Sequence, residues 1–201
     1  MTANLERVAL QRDGQVIRME RHLNHPASQV WAALTEPKKL ATWFAHSKTP
    51  LNKNGKINLH FENTGYDVDG TVKKVKPNRL LEYTWDHQQE PDKMPAASRT
   101  DDGGHCGQPM MQSRVRFQLK PNGADRTDLV LTHTLPSKAD SAAQGAVKPQ
   151  NVLAAWHNHL DALSDSLGGG KVRARHGTGW PWDRYHDLLD KYTQAIGAKK
   201  R

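Results

Sequence analysis

The chain has a single cysteine in 201 residues, Cys106, so no internal disulfide forms. No apolar run approaches the roughly 20 residues that cross a bilayer. The opening MTANLERVALQRDG lacks the hydrophobic stretch of a secretory signal. A soluble, cytoplasmic protein is the expectation. Enzyme signatures are scarce as well: there is no GxSxG, GxGxxG or P-loop, and no cofactor is expected. Metal binding fails on spacing. His157 and His159 are two apart on a predicted helix and point roughly 160° away from each other, where facial chelation needs i, i+4. His22 and His25 straddle a strand-to-helix junction, and His105 and Cys106 fall in a polar loop. Beyond His105, Cys106 has no neighbour to stabilise a thiolate, which argues against a nucleophile.

Negative charge is in deficit. The formal net charge is +8, and between residues 171 and 201 eight Lys or Arg face three Asp. A basic extension can touch nucleic acid electrostatically, but charge runs more often serve as solvated surface. No helix-turn-helix, zinc-finger spacing or RNP-type motif accompanies it, so nucleic acid is not expected as a partner.

What is present is periodicity. Residues 7–11 and 15–23 alternate around the turn dipeptide Asp13-Gly14, which predicts a hairpin, with Ile17, Met19, Arg21 and Leu23 on one face. Pro26 opens a short helix carrying Val30, Trp31 and Leu34. Thr35 and Pro37 mark a break and a restart, and the next turns bring Leu40, Trp43 and Phe44 together. Strands follow: Ile57, Leu59 and Phe61 share a face; Val68 and Val72 flank Gly70, a predicted bulge. Asn78 turns the chain. Leu81, Tyr83 and Trp85, then Val115, Phe117 and Leu119, then Leu129, Leu131, His133 and Leu135 repeat the alternation, with a turn at Pro121-Asn122-Gly123. Such alternation predicts an antiparallel sheet with one buried and one wet face.

Residues 87–112 form a long polar segment, either disordered or an ordered flap. A helix over 152–167 carries Val152, Leu153, Trp156, Leu160, Leu163 and Leu167 on one stripe and ends at Gly168-Gly169-Gly170. A last amphipathic helix over 183–196, with Tyr185, Leu188, Leu189, Tyr192 and Ile196 on one side, is expected to dock on the sheet or on another subunit. Residues 1–170 thus read as one domain and 171–201 as a basic extension.

The runs VWAALTEPKKLATWF, GTVKKVKPNRLLEYTW, LVLTHTLP and WHNHLDALSDSLGG, in this order, resemble the START-like (SRPBCC) superfamily. Within it they resemble the family named after the activator of heat-shock protein 90 ATPase, from about Val16 to Gly169. The resemblance implies an α+β helix-grip fold: a curved antiparallel sheet wrapped round the long helix, with two short helices closing one end and a cavity between sheet and helix. Asn52-Lys53-Asn54-Gly55-Lys56 stands where relatives often carry paired glycines and an aromatic, and the 87–112 loop is longer than usual.

Trp43, Phe61, Tyr83, Trp85, Phe117 and Trp156 are in phase with the inner faces, along with Leu59 and Leu160. Each ring serves either core packing or the wall of a pocket. His133, in register with Leu129 and Leu131, is the inward polar candidate: a structural histidine, a ligand contact, or an acid–base group. Arg21 either anchors an anionic ligand group or marks the strand's exit to solvent. Three functions compete: binding of a small hydrophobic or amphipathic molecule; a cyclase or hydrolase-like reaction using His133 with water or Tyr83; and an interaction role, through a chaperone or self-association, using the outer surface and the extension.

Overall fold

A computed structural model describes residues 8–11, 15–51, 55–62, 66–87, 111–136, 148–170, 172 and 181–198. The strands are β1 (Val8–Gln11), β2 (Val16–Leu23), β3 (His46–Ser47), β4 (Lys56–Phe61), β5 (Tyr66–Lys76), β6 (Leu80–His87), β7 (Met111–Pro121) and β8 (Thr127–Thr134). They form one sheet in the order β1-β2-β8-β7-β6-β5-β4-β3, every neighbouring pair antiparallel. The helices are α1 (Ala27–Thr35), α2 (Pro37–Leu40), α3 (Pro149–Leu167) and α4 (Trp182–Ala198). This is the helix-grip fold, with α3 held against the inner face of the curved sheet.

Local chemistry sets the boundaries. Glu36, in extended conformation, caps α1 and precedes Pro37, which starts α2 because its missing N–H has no helical partner there. Pro149 does the same for α3, and Gly169, at φ 68°, turns the chain away after it. Asn78 adopts φ 58° and Gly123 φ 81°, as the turns at both positions require. Asp13-Gly14 lies outside the described residues, although β1 and β2 pair as the hairpin they were expected to form. Of the 87–112 segment, His87 ends β6 and Met111 begins β7; residues 88–110, with Cys106 and the choice between flap and disorder, lie outside the described residues.

Three local expectations change. The bulge falls between Val72 and Lys74, not at Gly70. Gly70 is needed for close approach, since a Cβ there would sit 2.0 Å from the Thr84 carbonyl oxygen. The outer face is not uniformly wet: Glu82 is only 3% exposed and Thr84 is buried. Long cationic side chains lie over Glu82, with Arg116 Nε donating to Oε2 at 2.7 Å and Lys74 and Arg114 at 3.9 Å. Thr84 Oγ1 accepts the Thr71 N–H at 2.9 Å. Finally, α4 docks on α3, not on the sheet, burying Leu188 and Tyr192. That covers the face of α3 opposite its apolar stripe, so Ala154, His157 and Asn158 are buried along with Leu153, Trp156, Leu160 and Leu163.

Candidate ligand site

Period-two alternation on neighbouring strands lines up inward residues in rows. One row runs Leu10, Ile17, His133, Val115, Tyr83, Val72 across six strands. The rows on either side contain Trp85 paired with Ser113, and Leu81, Phe117, Leu131 and Met19. Trp156 of α3 lies over these rows. Its ring centroid is 5.3 Å from Phe44, 5.8 Å from Phe117, 6.0 Å from Trp85, 6.1 Å from His133 and 5.7 Å from His159. Phe61 joins through Phe44 at 5.3 Å and Trp85 at 5.8 Å. Leu59 and Leu160 are fully buried in the same interior, and Trp85, half-buried, is the ring nearest solvent.

Sequence spacing thus places seven of its nine pocket candidates in or beside one aromatic cluster. Trp43 stands at the edge, stacked on Phe44 at 5.0 Å, and its indole N–H donates to the Ala33 carbonyl at 2.9 Å, tying the α2 turn to α1. Tyr83 is on the far side of Phe117, 6.5 Å from its ring. Phe44 and His159 belong to the cluster although neither was singled out as a pocket candidate. Phe44 was visible at helical spacing from Leu40. His159 carried no apolar signal, and its place against Phe44 at 4.9 Å follows from the rotation of α3.

The polar groups divide sharply. His133 Nδ1 accepts the Trp156 indole N–H at 2.9 Å, and Nε2 pairs with Ser113 Oγ at 2.7 Å. An indole only donates, so Nδ1 must be bare, the proton is on Nε2, and Ser113 accepts it. Ser113 Oγ in turn reaches the Trp85 carbonyl at 3.4 Å. The imidazole is neutral and both its nitrogens are engaged, which is the arrangement of a structural histidine. Tyr83 differs. It is 1% exposed, burial pushes its phenol far up, and its hydroxyl takes part in no hydrogen bond among the described residues.

Arg21 neither exits to solvent nor enters the aromatic cluster. It is 4% exposed and points along the flank of α3, with Nη2 3.5 Å from Asp161 and Nη1 donating to the Glu20 carbonyl at 3.2 Å. His157 and His159 do face different ways, the first towards Tyr192 of α4 and the second towards Phe44 and Phe61. Among the described residues no helix is long and apolar enough to cross a membrane.

Comparison with known proteins adds the following. Residues 24–168 match the family described as Activator of Hsp90 ATPase homolog 1-like protein. Curated proteins give no match. Among solved structures, the protein encoded by gene BPP1335 of Bordetella parapertussis is 25% identical with a TM-score of 0.60, over 92% of this chain and 88% of that one. CalU16 from Micromonospora echinospora is 20% identical with a TM-score of 0.59, over 94% of each chain. DynU16, a protein of the dynemicin biosynthetic locus, is 21% identical with a TM-score of 0.58 over 83% of this chain. This chain spans about half of DynU16, covering 51% of it.

Proposed function

The chain belongs to the Activator of Hsp90 ATPase homolog 1-like family of the START-like superfamily, and from that premise we propose that it binds a small hydrophobic or amphipathic molecule between the sheet and α3. The observation that carries this reading is the inward ring cluster of Phe44, Phe61, Trp85, Phe117 and Trp156 between the sheet and α3, with Tyr83, whose hydroxyl makes no hydrogen bond among the described residues, on the far side of Phe117. A ligand acceptor would give that hydroxyl a partner. Apolar walls with one or two orienting polar atoms are the usual make-up of such sites. Half-buried Trp85 marks the side from which a molecule would enter. In this reading residues 1–170 are the binding domain, 171–201 are an appended extension, and the cytoplasm is the working compartment.

The test is a thermal-shift screen against fatty acids, sterols and polycyclic aromatic compounds. A saturable rise in Tm for one chemical class supports the proposal, and no shift with any class at solubility-limited concentration sinks it. The cyclase or hydrolase-like alternative loses ground on His133, whose two nitrogens are taken by Trp156 and Ser113. An interaction role draws support from Trp182, 52% exposed at the start of α4 with Tyr185 and His186 against its ring. A chaperone or a second copy of the chain would then contact the extension, and Trp182→Ala would weaken that contact.

A further inference from the structure

The face of α3 turned away from the aromatic rings is polar, and α4 lies on it through a shared ionic seam. Asp161 is the hub. Its carboxylate accepts from Arg184 Nη2 of α4, lies 3.5 Å from Arg21 Nη2 of β2, and is 3.7 Å from His157 Nε2 one turn back. Arg184 also donates through Nε to Asn158 Oδ1 at 3.1 Å, and His157 Nδ1 pairs with the Tyr192 hydroxyl at 2.8 Å. The arrangement leaves Asn158 Nδ2 fully enclosed and unbonded, the only such side-chain atom among the described residues. Because Oδ1 is held by a guanidinium donor, flipping the amide does not relieve it. Docking of α4 therefore encloses an orphaned donor of α3 and, among the described residues, brings two guanidinium groups, Arg21 and Arg184, to one carboxylate, Asp161. Undocked, water satisfies both the donor and the charges. The family match stops at residue 168, so α4 lies beyond the matched fold.

We propose that α4 is a reversible arm which acid releases from α3, with His157 as the trigger. Among the described residues, the charged and titratable groups facing His157 are Asp161 on α3, Arg21 on β2, and Arg184, Lys191 and the Tyr192 hydroxyl on α4. Burial is the main reason its imidazole resists a proton, the three cations add to that resistance, and Asp161 opposes it; the balance pulls its pKa down to about 4. Tyr192 is pushed up to about 12, mainly by burial, so its hydroxyl stays neutral throughout. With α4 away, His157 is bathed in water and titrates at its ordinary value near 6.5.

The sign follows from linkage. The docked state binds protons less well, so docking is at full strength above about pH 6.5 and weakens towards pH 4. Between pH 7 and pH 5 the docking equilibrium falls about twentyfold. A 17-residue helix without tertiary support is marginal in water, so release also frees its backbone amides to exchange.

The experiment is hydrogen exchange with mass spectrometry on the full chain at pH 7 and pH 5, with rates corrected for intrinsic pH dependence. Protection of residues 182–198 should fall about twentyfold while that of β6, β7 and β8 holds, and His157→Gln should abolish the fall. If His157→Gln fails to dock α4 at pH 7, Tyr192→Phe decides: it keeps His157 and its facing cations and must show the same twentyfold fall from a lower starting protection. Constant protection of α4 in the wild type, a parallel loss in the sheet, or an undiminished fall in His157→Gln overturns the proposal.

Discussion

The pair Trp156–His133 decides whether the inward histidine is a fixture or a reagent. Trp156→Phe keeps a ring in the cluster and removes the indole N–H, leaving His133 Nδ1 an unsatisfied acceptor in a site where His133 is 2% exposed. An orphaned buried polar group costs about 1–3 kcal/mol. The smaller ring adds a void beside Phe44 and Phe117 costing about 1 kcal/mol. The expected loss is about 2–4 kcal/mol. His133→Leu orphans the indole N–H in turn and takes away the partner of Ser113 Oγ, for a similar cost. The double variant removes both members of the bond, so its loss should fall short of the sum of the singles by about 1–2 kcal/mol. Urea denaturation followed by near-ultraviolet circular dichroism reads all four proteins, with an unchanged m-value confirming that the transitions are comparable. Losses that add to within about 0.5 kcal/mol would refute the reasoning, because His133 would then be uncoupled from Trp156 and available for acid–base chemistry.

Two further predictions rest on single atoms. Gly70→Ala places a methyl 2.0 Å from the Thr84 carbonyl oxygen, which β5 and β6 relieve only by separating, so the variant should lose about 3 kcal/mol or more in the same denaturation assay; a loss under about 0.5 kcal/mol would mean that the strands yield freely there. Tyr83→Phe deletes the unbonded hydroxyl and should leave Tm unchanged or slightly raised, while weakening the best ligand of the thermal-shift screen about tenfold in calorimetric titration. Unaltered affinity would take Tyr83 out of the site.

The inner face was readable because period-two alternation is local: Leu59, Phe61, Tyr83, Phe117 and His133 each follow from neighbours two residues away, and each is buried. Trp156 and Leu160 followed likewise from the 3.6-residue stripe of α3. The partners of those residues were not readable. Ser113 and Trp156 reach His133 from 20 and 23 residues away, through strand register and helix rotation that no local pattern encodes. Arg21 looked like an anchor or an exit because its partner, Asp161, is 140 positions distant. Glu82 read as solvated since nothing in LEYTW announces that Arg116, Lys74 and Arg114 lie over it. Nor does the apolar stripe of α3 announce that its opposite face is buried too, since only the docking of α4 makes that face an interior.

The most direct test of the ligand-binding account is a fluorescence titration of the full chain with a naphthalene-based polarity probe, read by energy transfer from tryptophan. The account predicts saturable 1:1 binding, transfer that survives Trp182→Ala and falls in Trp156→Phe, and displacement of the probe by the best ligand of the screen. Non-saturable binding, or transfer that disappears with Trp182 alone, would contradict it.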